Sequence, residues 1–232
     1  MPVKPGATMG LPNPPPADAA HMATASTFIH QLSAANHHER IGMERLIFYP
    51  GMLFGTAEKW WGRPGCRHSH HEGIDLCFFE TGSGGYYRLD ETTRIPMAED
   101  GRIVHIMEDF LGQTVAVQQT EAGGRAFLTL YAHIEPAKGL SVGDRLSCGE
   151  VFARIAAINN PKIMLLPHLH ISMAWADQLP DYADWTWKRL NHCGSECFVD
   201  PLTRMHLPHQ VFSFEFGMNP ADAFTPVSQV AF

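Results

Sequence analysis

The chain has 232 residues, 45% of them apolar and 18% charged, with 17 lysines and arginines against 24 aspartates and glutamates for a net charge of −7. That is enough chain for one domain with extensions and a sizeable core, and it is too apolar for a disordered segment. The acidic balance argues against a nucleic-acid partner, and no apolar run approaches the ~20 residues of a membrane span.

Residues 1–22 form a Pro/Ala-rich leader that is expected to be flexible. The first twenty carry one lysine and no apolar stretch, so they do not read as an export signal, and by sequence the chain is expected in the cytoplasm. Residues 23–45 read as a helical extension, with Phe28, Leu32 and Ile41 set among Ala, Gln, Glu and His. From 46 to 205 the texture changes to short apolar runs separated by Gly, Pro and Asp. They are GIDLCFF (73–79), GRIVHIM (101–107), QTVAVQQ (113–119), AFLTLYAHI (126–134), EVFARIAAI (150–158) and HLHISMAW (168–175). Runs of this length, with turns such as Glu99-Asp100-Gly101 and Ala122-Gly123-Gly124, predict a mainly β, largely antiparallel domain. From 177 the sequence becomes irregular, aromatic-rich and punctuated by proline, and 206–232 is expected to be an irregular tail.

The five cysteines (Cys66, Cys77, Cys148, Cys193, Cys197) are odd in number and scattered, which suits reduced thiols. Cys193 and Cys197 stand close enough to pair, or to join His192 in a small metal site.

Fourteen histidines nearly equal the lysines and arginines together, an excess that points to metal ligation or acid–base work. Three clusters hold the informative ones: Arg67-His68-Ser69-His70-His71-Glu72-Gly73-Ile74-Asp75, then Tyr131-Ala132-His133, then Pro167-His168-Leu169-His170. On a strand, His168 and His170 share a face, while Leu169 turns to the core. In an extended segment His71 and Asp75 share a face across Gly73, and Ile74 and Leu76 turn inward. A carboxylate with two imidazoles leaves a fourth position open, the arrangement of a catalytic Zn²⁺ site. By the same parity His68 and His70 face away from His71, and so does Glu72. His133 closes an alternating run, a place suited to a proton carrier.

His71-x-Gly73-x-Asp75, Tyr131-x-His133, Gly143-Asp144-x-Leu146-x-x-Gly149 and Pro167-His168-x-His170, in that order, resemble the lysostaphin-type zinc endopeptidases of bacterial cell walls. Trp61-Gly62-x-Pro64 resembles that family's lead-in, and the likeness spans about residues 55 to 202. It implies a compact antiparallel β-sandwich of the barrel-sandwich hybrid type, with the site in a groove. It implies His71, Asp75 and His170 as ligands of Zn²⁺, with His133 and His168 unligated beside them. The activity implied is hydrolysis of a peptide bond in peptidoglycan or a related short peptide by a metal-activated water, and the location is outside the cytoplasm.

Two other readings are open on the sequence. One is a homologue that holds zinc and recognises wall peptides or a protein partner without cutting. The other is a cupin-like metal protein, because Gly62-x5-His68-x-His70-x4-Asp75-x6-Gly82 copies that family's first motif with Asp75 in place of Glu.

Overall fold

The computed structural model describes residues 27–213 and 223–230, except 122, 159, 161, 163, 180, 183 and 184. The leader expected over 1–22 lies outside the described residues. Helix α1 runs over Thr27–Ala35 and buries Phe28, Ile29 and Leu32, one face at helical spacing. It ends earlier than the expected extension to 45. Asn36 ties the last turn to the sheet, donating from Nδ2 to Leu32 O and Arg94 O and accepting from Arg94 N. His37 then takes a left-handed φ of 57°, and Met43 already belongs to the first strand.

Among the described residues fourteen strands follow. β1 (Met43–Phe48), β2 (Gly73–Leu76), β3 (Phe78–Thr81), β4 (Tyr86–Arg88), β5 (Arg94–Pro96), β6 (Gly101–Glu108) and β7 (Gln113–Thr120) come first. β8 (Ala126–Pro136), β9 (Arg145–Leu146), β10 (Val151–Ile155), β11 (Leu169–Trp175), β12 (Phe198–Val199), β13 (His209–Val211) and β14 (Thr225–Pro226) complete the set. Two short helices, α2 (Trp187–His192) and α3 (Pro201–Met205), separate β11, β12 and β13.

The strands form a mainly antiparallel, two-sheet structure. The smaller sheet has the order β13-β1-β3-β4-β14, and the larger has nine strands along β12-β11-β8-β7-β6-β9, with β2 on β11 and β10 joining β8 to β5. The run 73–79 is expected as one strand. It instead divides at Cys77, so that β2 serves the large sheet and β3 the small one, and all seven of its residues are buried. The tail contributes more than irregular chain, because β13 and β14 add parallel to β1 and β4 at the two edges of the small sheet.

Alternation along the central strands separates two cores. Ile74 and Leu76 of β2, Phe127 and Tyr131 of β8, and Leu169, Ile171 and Met173 of β11 face the principal core, with Phe48, Phe78 and Phe79 from the small sheet. Leu128, Leu130 and Ala174 face the other way and are covered by Trp185, Leu190 and Phe198. The residues that follow β11 therefore cover part of the sheet's second face. The uncovered part of that face carries the histidines.

Candidate metal centre and its cleft

β11 lies between β2 and β8, with His170 paired to Asp75 on one side and to Ala132 on the other. Directly opposed side chains on antiparallel strands have Cβ atoms about 4.5–5.5 Å apart, close enough for these two to meet. His170 Nδ1 lies 2.8 Å from Asp75 Oδ1, and His71 Nε2 lies 3.2 Å from the same oxygen and 3.1 Å from His170 Nδ1. All three side chains are buried. Among the described residues they form the group of His, Cys, Asp or Glu that could hold a metal ion, its ligand atoms within 4.8 Å of one another.

The atoms facing the centre are lone-pair donors. His71 Nδ1 lies 3.1 Å from Leu53 O, an atom that only accepts, so Nδ1 carries the proton and Nε2 presents its lone pair. The backbone of His71 is fixed as well, its N–H donating to Thr56 O and its carbonyl accepting from Gly55 N. His170 Nε2 lies 2.7 Å from Ser172 Oγ and 3.3 Å from Glu72 Oε1, which leaves Nδ1 for the centre. Asp75 Oδ2 accepts from Trp60 Nε1 at 2.6 Å and from Arg67 Nη2 at 3.2 Å, so Oδ1 is the free oxygen. Two imidazole nitrogens and a carboxylate oxygen that converge in this way fit a borderline-soft cation such as Zn²⁺.

The electrostatics agree. Burial raises the Asp75 carboxyl, but its interactions with the rings of His71, His168 and His170 outweigh it and hold the pKa well below the usual carboxylate range. Burial disfavours a charged His170 ring, yet hydrogen bonds with Asp75 and Glu72 raise its pKa to about 9. A proton at His170 Nδ1 thus occupies the position that suits a cation.

His168 stands beside this trio. Its Nδ1 lies 2.8 Å from Leu166 O, and its Nε2 lies 3.6 Å from Asp75 Oδ1. Burial drives its pKa down to about 3, so the ring is neutral and its Nε2 lone pair faces the centre. Its ring packs edge-on against Trp60 and His133, with centroids 5.3 Å and 4.9 Å away.

His133 reaches the site by a route that alternation does not give. Strand β8 runs on to Pro136, and its register against β7 slips, so that Ala132 and His133 together oppose Thr114. At this bulge His133 adopts a left-handed φ of 61°. Ile134, three residues after Tyr131, rejoins the principal core, and His133 is released to line the cleft. Asp109 holds it there: Oδ2 accepts His133 N at 2.8 Å, and Oδ1 lies 3.0 Å from His133 Nδ1. The same carboxylate accepts from Leu111 N, Gly112 N and Thr114 Oγ1, each at 2.8 Å. Burial raises the Asp109 carboxyl, but the hydrogen bonds and charge of His133 outweigh it and hold the group far below its ordinary value.

Sequence reasoning misses Asp109, because nothing in the Asp109-Phe110-Leu111-Gly112 turn reveals that it folds back onto a strand 24 residues later. It also places Glu72 away from the site. Strand β2 begins only at Gly73, so strand parity does not reach Glu72, and its carboxylate turns in toward His170. His68 and His70 are exposed and stand outside the His71–Asp75–His170 group, although His68 lines the cleft. The five cysteines are free thiols, and Cys197 Sγ donates to Cys193 O.

The site opens into a cleft of about 700 Å³ whose walls include Trp61, Phe110, Leu165 and Trp187. Trp187, on α2, packs edge-on against His170 at 5.5 Å between ring centroids and donates from Nε1 to Thr114 Oγ1 at 2.8 Å. No helix among the described residues is long and apolar enough to cross a membrane.

Fold and site together define a β-rich protein with a buried His/Asp/His cluster at the bottom of an open cleft. No family model matches the chain, and no curated protein matches it in sequence. Among solved structures it is similar to LytU, at 18% identity and a TM-score of 0.39 over 65% of this chain and 79% of that one. It is similar to lysostaphin, at 14% identity and a TM-score of 0.41 over 78% of this chain and 62% of that one. It is also similar to the catalytic domain of the prophage-encoded protein EnpA of Enterococcus faecalis, at 16% identity and a TM-score of 0.35 over 59% and 88%.

Proposed function

We propose that the chain is a zinc metalloendopeptidase that hydrolyses a peptide bond in peptidoglycan or a related short peptide. The observation that carries this reading is the convergence of His71 Nε2, Asp75 Oδ1 and His170 Nδ1 at the base of a cleft, with two further imidazoles beside them. Bound there, Zn²⁺ would polarise the scissile carbonyl and lower the pKa of a water toward about 7. A cleft of this volume accommodates a short extended peptide. The substrate class follows the ordered motif set.

The two unligated histidines divide the proton work. His133 Nδ1 is bound to an ionised Asp109, which fixes the tautomer, so Nε2 accepts the proton of the attacking water and returns it to the leaving amine. His168 is buried and neutral; its Nε2 accepts a hydrogen bond and orients the nucleophile.

Metal analysis of the purified chain beside His71→Ala and His170→Ala tests the ligand set: stoichiometric zinc in both variants would sink the assignment. Incubation of the zinc-loaded chain with peptidoglycan fragments, read by mass spectrometry, tests the activity. New amine ends mark a peptidase, whereas binding without new ends marks a recognition module.

A further inference from the structure

We propose, on the basis of the zinc reading above, that Glu72 is a positioning residue: with Ser172 it holds the proton of His170 on Nε2 and so commits Nδ1 to the metal. An imidazole can ligate through either nitrogen, and the hydrogen bond made by one decides which is left for the metal. Here the ring lies between two carboxylates, Asp75 at its inner edge, 2.8 Å from Nδ1, and Glu72 at its outer edge, 3.3 Å from Nε2.

The arrangement is built by the pairing of β2 with β11. His170 opposes Asp75 and Ser172 opposes Gly73, so one register brings Asp75 to the inner nitrogen and the residue before Gly73 to the outer one. Gly73 is required by space. A Cβ there would stand 2.8 Å from His170 Nε2, 2.7 Å from Ser172 Oγ and 2.3 Å from Ile171 O. With no side chain at 73, Nε2 of the ring comes close against β2, and the Glu72 carboxylate reaches it from the neighbouring position. The Glu72 and His170 side chains retain only 14% and 5% of their exposure, so the pair is shielded from competing water. A carboxylate on the far nitrogen also makes the ligating one more basic, and loss of such a partner typically weakens metal binding by about 10–100-fold.

Competition of the full chain against a chromophoric zinc chelator, with wild type, Glu72→Ala, Glu72→Gln and Ser172→Ala, tests this. Glu72→Ala is expected to weaken zinc binding by at least about tenfold. Glu72→Gln, whose amide oxygen still accepts from Nε2–H, is expected to fall between it and wild type. ¹⁵N spectra of the zinc-loaded wild type are expected to show His170 protonated at Nε2 alone, a signature that a merely structural role would not move. Wild-type zinc affinity in Glu72→Ala, or a proton on His170 Nδ1 in the zinc-loaded chain, overturns the proposal while leaving the zinc reading intact. Absence of zinc binding by wild type overturns the zinc reading itself.

Discussion

His133 and Asp109 are joined twice, by the backbone N–H of His133 donating to Asp109 Oδ2 at 2.8 Å and by its ring Nδ1 lying 3.0 Å from Oδ1. One carboxylate thus fixes both the bulge that turns His133 out of the strand and the tautomer of its ring. Asp109→Asn keeps the size but replaces one of the two accepting oxygens that hold the His133 backbone and fix the tautomer of its ring. Steady-state kinetics on a peptide substrate are expected to show kcat lower by on the order of 10²-fold, with KM and zinc content near wild type. An unchanged kcat would remove Asp109 from the proton pathway.

The proposed ligand and proton-carrier roles are separable. His133→Ala and His168→Ala are expected to retain zinc and lose about 10²–10⁴-fold in kcat, because both rings stand outside the His71–Asp75–His170 group. Loss of zinc from His133→Ala would contradict the assignment of that residue.

Stability should respond to pH with opposite signs in the two metal states. In the metal-free chain, Asp75 and Glu72 raise the His170 pKa to about 9. That contribution is complete below the ordinary histidine value of about 6.5 and is lost as pH rises through about 9. Zinc must displace the same proton, so its affinity grows with pH across this window, by about tenfold per unit while one proton is released. Thermal unfolding with chelator and with saturating zinc, between about pH 6 and pH 9, separates the two. The metal-free midpoint is expected to fall and the zinc-induced increment to grow. An increment that shrinks as pH rises would contradict the ligand role of His170.

Trp60 Nε1 donates to Asp75 Oδ2 at 2.6 Å, inside a buried site where Arg67 is the other partner of that oxygen. Trp60→Phe keeps an aromatic ring and removes the donor. Hydrogen bonds to charged groups are worth about 1.5–3 kcal/mol, and a loss of that size in chemical denaturation is expected, together with weaker zinc binding. Zinc affinity and stability equal to wild type would show that Arg67 alone orients the carboxylate.

Much of the geometry of this cluster was legible in the order of residues because strand positions two apart share a face. Strand spacing alone places His168 beside His170, and His71 on a face with Asp75 across Gly73; the structure brings the three histidines around Asp75 Oδ1. The six apolar runs read from the sequence each contain a strand of the large sheet. The helix at the N-terminus was legible in type, although it ends at Ala35 because Asn36 ties its last turn to the sheet.

Tertiary structure decided what depends on contacts between distant segments. The division of 73–79 between two sheets, the pairing of Asp75 with His170 and the parallel addition of β13 and β14 each join residues that local pattern leaves independent. Glu72 and Asp109 escaped the sequence for one physical reason. Each is a carboxylate on a non-strand segment beside a strand, where period-two alternation no longer governs direction, and each is recognised only by the histidine it holds. The residue order determined which groups could ligate a metal; the register of β2 on β11 and the bulge in β8 determined which nitrogen of each histidine is left to act.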